Sequence, residues 1–277
     1  MKKNLRMEAA QYTLKYLKEG YYIIDEKRIN ISATHKKSVE ESILVSPEDG
    51  DVLVEKYKGS TDNKWANIKV LNVPTVKAVL DLNFENLKDI GVLNFASAKN
   101  PGGGFLNGAL AQEESIAVGS GLYDTQLKNE KYYLENRDCK TMMYTDYMIY
   151  SPDVVFIRDE GLNLLENPVT ASIITAPAVN YGQVLLKKED SVLAQKLMKI
   201  RMRKVLALFA HKKNKNIILG AYGCGVFRND PNTVAKYWKE LLYDENYISY
   251  FENVIFAVFD NSKNQDCIKV FEKLFTK

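Results

Sequence analysis

The chain has 277 residues, with 26% charged, 46% hydrophobic and a net charge of +3. That length gives one large domain with a sizeable core, or two small ones. So mild a basic excess does not signal a nucleic-acid footprint or a membrane surface, and no apolar run approaches a membrane span.

The N-terminus, MKKNLRMEAAQYTLKYL, lacks the apolar core and cleavage site of a signal peptide. Apolar residues at helical spacing predict a helix from Met7 to Glu19, with Gly20 as its C-cap. A short strand is expected at Tyr21 to Ile24 and a second helix at His35 to Leu44. Ser46 to Asn63 reads as loop with strand fragments.

Asn67 to Val73 is strand-like, and Pro74 opens a helix through Val79 and Leu82. Ile90 to Ala96 is a buried strand; a glycine triplet follows at once, and a helix is expected from about Ala109. Met148 to Ile157 and Ala171 to Pro177 are further strands. Asp190 to His211 is a long amphipathic helix, and Asn216 to Tyr222 another buried strand. A second glycine loop, GCGVF, comes next, and Asn229-Asp230-Pro231 starts a helix to about Leu242. A strand at Asn253 to Phe259 and a helix at Asp266 to Phe275 end the series.

Alternating strands and helices, with strands apolar on both faces, predict an α/β fold of three layers around a mostly parallel sheet. Residues 1–65 read as an N-terminal helical extension packed on a core of residues 66–277. There is no internal repeat or low-complexity linker.

Both glycine loops follow a strand and precede a helix. In open α/β sheets that rim is where ligands sit. Gly102, Gly103 and Gly104 lack a Cβ, so their N–H groups can form an anion nest, and Gly223 and Gly225 offer the same. Either run can also be a plain tight turn. GxGxxG is out of register and GxxxxGK[ST] is absent, which disfavours a dinucleotide fold and excludes a P-loop.

Glu113 and Glu114 stand side by side where the triplet opens a helix, and point about 100° apart on it. They are either a solvated face or carboxyls beside a bound ligand. A carboxyl beside a sugar phosphate suggests glycosidic cleavage, in which an acid protonates the leaving oxygen. Cys224 reads better as a small packing residue than as a nucleophile, since no histidine lies near it in the chain. Phe227 suits either the core or the rim of a sugar site. Cys139, Cys224 and Cys267 make no disulfide framework, and a reducing, cytoplasmic setting is expected. His35 and His211 show no metal-ligand spacing, and no metal is expected.

VLNFASAKNPGGGFLNGALAQEES closely resembles the signature of the bacterial-type poly(ADP-ribose) glycohydrolases, a branch of the macrodomain fold. Gly102-Gly103-Gly104 is followed after seven residues by Gln112-Glu113-Glu114. SGLY, YSPDVVFIRD, ITAPAVN and LGAYGCGVFRNDP extend the likeness over most of the chain.

The resemblance implies a macrodomain-like core with a mixed sheet, and ADP-ribose units joined by ribose–ribose bonds as substrate. Glu114 would be the catalytic acid and base, and Glu113 would orient the ribose. Gly102, Gly103 and Gly104, with Gly223, Cys224, Gly225, Val226 and Phe227, would grip the diphosphate. Phe227 and Asn100 would lie by the distal ribose, and Gln112 completes the binding set. Chain-end trimming to ADP-ribose without metal or cofactor is implied. So are ADP-ribosylated proteins as the wider substrate class, with no membrane or direct nucleic-acid partner and a monomeric state. Leu110, Val118 and Tyr222 depart from the Gln, Arg and Trp common in that family. Hydrolysis of single ADP-ribose groups on proteins, or binding without cleavage, are the alternatives.

Overall fold

The computed structural model describes residues 2–58 and 64–276. The first part of the chain forms α1 (Lys3–Glu19), β1 (Tyr21–Ile24), β2 (Lys27–Asn30), α2 (Ser32–Glu41), β3 (Ile43–Val45) and α3 (Pro47–Lys56). Then come β4 (Asn67–Leu71), α4 (Thr75–Phe84), β5 (Ile90–Ala96), α5 (Gln112–Ala117), α6 (Leu122–Lys128) and α7 (Lys131–Asp138). The rest is β6 (Met148–Arg158), β7 (Leu164–Pro177), α8 (Tyr181–Leu186), α9 (Ser191–His211), β8 (Asn216–Leu219), α10 (Pro231–Lys239), β9 (Asn253–Ala257) and α11 (Asp266–Phe275).

Seven strands make one sheet in the order β3-β6-β7-β5-β8-β9-β4. From β7 to β4 all neighbours run parallel, while β6 is antiparallel to both β7 and β3. The sheet is therefore mixed. Strand residues alternate between the two helical layers because side chains point to opposite faces with a period of two. Leu93, Ile174, Ile217 and Val254 pack with Met202, Val205 and Phe209 of α9, Trp238 of α10 and Phe271 of α11. Their neighbours Val92, Ile173, Ile218 and Ile255 pack on the other face with Val76, Val79 and Leu82 of α4 and Ile116 of α5.

The first 65 residues do more than lay helices on this core. β1 and β2 form a separate hairpin, and β3 joins the main sheet by pairing with β6, three residues long at the edge. The stretch expected as loop at Ser46 to Asn63 holds α3, whose start is fixed by a capping box between Ser46 and Asp49. Residues 59–63 of that stretch lie outside those described. α1 reaches furthest towards the rim. Arg6 Nε donates to the Gly108 carbonyl at 2.9 Å, and Thr13 Oγ1 donates to the Val118 carbonyl at 2.8 Å.

Candidate active site

The loops after β5 and β8 leave the carboxyl ends of adjacent parallel strands. Between them opens a cleft of about 800 Å³, lined by Phe95, Gln112 and Glu114 on one side and Ala221, Cys224 and Gly225 on the other. It continues across the ends of β9 and β4, where Phe259, Asp260 and Thr75 line it, and Arg6 enters from the extension. Its size lies within the ~300–1,000 Å³ of ordinary ligand sites.

A 3₁₀ turn over Phe105–Asn107 follows the triplet, and α5 begins only at Gln112, three residues later than expected. Gln112, Glu113 and Glu114 thus occupy the first turn of α5, directly under the glycine loop. Their three side chains take three different directions. The Gln112 amide lies against β5 beyond Val92, where pairing with β8 has ended. Its Oε1 accepts the Phe95 N–H at 2.8 Å, and its Nε2 donates to the Leu93 carbonyl at 2.8 Å and to Thr75 Oγ1 at 3.3 Å. This one side chain replaces a missing strand partner.

Glu113 is buried, with 3% of its surface exposed. Its Oε1 accepts from Asn94 Nδ2 at 3.1 Å and Gln126 Nε2 at 2.9 Å, and its Oε2 accepts the Ser97 N–H at 2.7 Å. Burial nevertheless pushes its pKa up to about 8, against the pull of those donors. Glu114 is half-buried and on the cleft wall, with Oε1 accepting the Gly104 N–H at 2.9 Å.

The glycine triplet is explained by this crowding. A methyl on Gly103 would stand 2.3 Å from Glu114 Oε1 and 3.1 Å from Glu113 Oε2, so both carboxyls meet at one Cα. Gly102 and Gly103 also have φ of +64° and +59°, in the left-handed region. Adjacent helical residues diverge, but here the loop folds down between the two tips.

The expected anion nest at the triplet is not formed. Gly102 N–H donates to Gln126 Oε1 at 2.7 Å, Gly103 N–H to the Asn100 carbonyl at 3.0 Å and Gly104 N–H to Glu114. All three donors are engaged within the chain, because the loop closes onto its own carboxyl and amide groups. The second loop differs: among the described residues the N–H groups of Gly225, Val226 and Phe227 have no partner. Cys224 lines the cleft, but burial pushes its thiol well above the usual range, away from nucleophilic use. Phe227 is half-buried against Tyr144, with ring centroids 6.0 Å apart. Asn100 is exposed where the triplet loop begins. Gly223, Val226, Phe227 and Asn100 flank the cleft without lining it.

Of the histidines, His35 is buried with Nε2 2.8 Å from Asp124 Oδ2, and His211 Nδ1 lies 3.2 Å from the Tyr57 hydroxyl. Among the described residues no cluster of side chains is arranged to hold a metal ion. Reading the sequence missed Gln126 and Asn94. A glutamine inside a short helix carries no signal of its own in one dimension.

Residues 10–159 match the family model described as microbial-type PARG, catalytic domain. The crystal structure of poly(ADP-ribose) glycohydrolase from Thermomonospora curvata superposes with a TM-score of 0.93 at 33% identity, covering 98% of this chain and 100% of that one. The same enzyme bound to the inhibitor ADP-HPD gives 0.90 at 33% identity, covering 98% and 99%. The Deinococcus radiodurans enzyme in complex with ADP-ribose gives 0.82 at 39% identity, covering 90% and 99%. No curated protein matches the chain. With over half the chain inside the family model, and the triplet and the paired glutamates meeting at one point, the chain belongs to the microbial-type poly(ADP-ribose) glycohydrolase family.

Proposed function

We propose that the protein hydrolyses the ribose–ribose O-glycosidic bonds of poly(ADP-ribose), working from the chain end and releasing ADP-ribose. The observation that carries this reading is the placing of Glu114. Its carboxyl stands on the cleft wall with one oxygen fixed by Gly104 N–H, while Oε2 has no partner among the described residues. In its acid form Glu114 gives a proton to the departing ribose oxygen as the bond to the anomeric carbon breaks through an oxocarbenium-like state. The carboxylate then takes a proton from the water that attacks that carbon, and the atoms balance with water alone.

Glu113 supports the ribose in a narrower way than the sequence suggests. Three N–H groups occupy its oxygens, leaving one position, on Oε2, which accepts from a ribose hydroxyl when Glu113 is ionised and donates to one when it carries the proton. The diphosphate is assigned chiefly to the unpartnered N–H groups of Gly225, Val226 and Phe227, with Gly223 and Cys224 shaping that loop. Gly102, Gly103 and Gly104 pack beneath it and orient Glu114. Asn100 offers its exposed amide to the distal ribose. Gln112 acts through β5. The division into an extension of residues 1–65 and a core of 66–277 belongs to the same reading, with Arg6 of the extension helping to wall the cleft.

Incubation of the purified protein with poly(ADP-ribose) should release ADP-ribose as the main product. Glu114→Gln should lower turnover by about 10²–10⁴-fold or more, the usual worth of a positioned acid–base group. ADP-ribose should still raise the melting temperature of that variant. Full activity in Glu114→Gln would refute the catalytic assignment. Release only from mono-ADP-ribosylated protein would replace the polymer as substrate.

A further inference from the structure

Behind the cleft wall lies a cluster of buried polar side chains of which the hydrolysis as described uses only Glu113. It joins Asn94 on β5, Thr175 on β7, Gln126 on α6 and Glu113 on α5. Gln126 has no exposed surface. Its two amide ends do different things. Oε1 accepts the Gly102 N–H at 2.7 Å, and Nε2 donates to Glu113 Oε1 at 2.9 Å and reaches Thr175 Oγ1 at 3.5 Å. Among the described residues no other side chain hydrogen-bonds to both the glycine triplet and Glu113.

These contacts close a ring. From Glu113 Oε1 it passes through the Gln126 amide to Gly102, along the triplet to the Gly104 N–H, across to Glu114 Oε1, and back through the peptide bond between the two glutamates. Three links of this ring are hydrogen bonds and the rest is covalent. Loosening the Gln126 link frees the triplet to move relative to α5, and the Gly104 N–H that fixes Glu114 moves with it. The position needs a donor and an acceptor on one flat group of this length, which glutamine supplies.

We propose that Gln126 is a positioning residue for the hydrolysis: its amide locks the glycine triplet to Glu113, and so aims the Glu114 carboxyl while its N–H bonds to the Glu113 carboxyl. This rests on the proposed glycosidic function, but its physical content is separable from turnover. The Gln126 donor favours the ionised form of Glu113 and opposes the burial that favours the acid. The other titratable groups facing Glu113 are Glu114 on its own helix and Tyr132 and Tyr133 on α7, whose hydroxyls burial pushes well above their usual range. The acid form of Glu113 needs an acceptor. Among the buried polar atoms without a partner, Asn94 Oδ1 and the Tyr133 hydroxyl belong to residues that face Glu113.

The test compares wild type with Gln126→Met, which keeps length and bulk but supplies neither hydrogen bond, and Gln126→Glu, which keeps an acceptor for Gly102 but loses the amide donor. Side-chain ¹³C NMR of labelled glutamate follows the Glu113 titration, and ADP-ribose binding is read by calorimetry. In Gln126→Met the Glu113 titration should move upward by about one unit, the size expected for losing a hydrogen bond to a charged group. The kcat on poly(ADP-ribose) should fall at least tenfold, while ADP-ribose affinity changes less than threefold. Gln126→Glu should move the titration the same way or further, since a second acid then faces the first, and it answers the question if Gln126→Met does not fold. An unmoved titration in a folded variant overturns the proposal, whether or not activity falls. A moved titration with unchanged kcat overturns the aiming of Glu114. If wild type cleaves no polymer, the functional reading fails while the titration still decides the link between Gln126 and Glu113.

Discussion

Burial of Glu113 should make the protein lose stability with rising pH, and Glu113→Gln should remove that loss. Its folded pKa is raised from 4.5 to about 8. Between those values the unfolded chain is ionised at this position while the folded protein still holds the proton. Folding there takes up a proton, so the contribution of Glu113 is most favourable below the unfolded value and declines as pH rises through the folded one. At about 1.4 kcal/mol per unit, the difference between the two plateaus is about 5 kcal/mol. Urea unfolding of both proteins at several values from pH 5 to pH 9 measures it. Gln introduces an N–H against one of the donors that Glu113 satisfies, but that cost does not vary with pH. Carboxylates such as Asp146, held low by Arg201 and Lys204 despite their burial, titrate alike in both proteins and cancel. The wild-type stability should therefore fall relative to the variant by about 1.4 kcal/mol per pH unit across the window. Parallel curves would show that the three hydrogen bonds outweigh burial, and would refute the assignment of Glu113 as an acid at neutral pH.

Two contrasts test the loop geometry. Gly103→Ala puts a methyl 2.3 Å from Glu114 Oε1 at a φ of +59°; it should cost at least ~1 kcal/mol from the left-handed backbone alone and lower kcat sharply as Glu114 is displaced. Gly225→Ala meets nothing within 4 Å, so its unfolding midpoint should correspond to a change within about ±0.5 kcal/mol. A tolerated alanine at Gly103, or a destabilising one at Gly225, would count against the loop as described. Gln112→Leu strips β5 of the group that pairs its Phe95 N–H and Leu93 carbonyl; at about 1–3 kcal/mol per unsatisfied group, denaturant unfolding should show a loss of at least ~2 kcal/mol. Wild-type stability in that variant would mean that the amide has no bridging role.

Much of the fold was legible because its central strands are apolar on both faces. Ile90 to Ala96 matches β5 at both ends, and the long α9 stands where periodicity puts it. The antiparallel turn of the sheet was implied by the family resemblance but was not legible in the pattern of residues itself. β7 runs from Leu164, but Pro168 lies inside it, and proline in a strand argues against a ladder. Reading β7 only from Ala171 left room for a crossover, whereas the real link from Arg158 to Leu164 is a short hairpin. The pairing tolerates the proline because the register shifts between Phe156 and Arg158. α3 was hidden for another reason. Gly50 and a run of acids weaken its helical look, and only Gly50 and Leu53 are buried. Its Ser46–Asp49 capping box was the available signal.

At the site, the glycine triplet and the two acids were visible as residue types, but their division of labour depends on contacts from far along the chain. Glu113 is surrounded by Asn94, Ser97 and Gln126, and Glu114 by Gly104 and open cleft. The same distinction sorts the three departures from the family pattern. Tyr222 is fully buried behind the site, its ring 5.5 Å from that of Phe95, with no partner for its hydroxyl among the described residues. Val118 packs with Ala9 and Ala10 of α1, so an apolar contact with the extension stands where the family commonly has an arginine. Leu110 is 66% exposed on the cleft wall. A buried ring and a packed valine act on the frame around the site. Val118 also borders the cleft but is only 5% exposed, whereas Leu110 presents most of its surface there and offers no hydrogen bond. Any difference in how this enzyme and its relatives grip substrate on that wall should therefore trace to Leu110 before the other two.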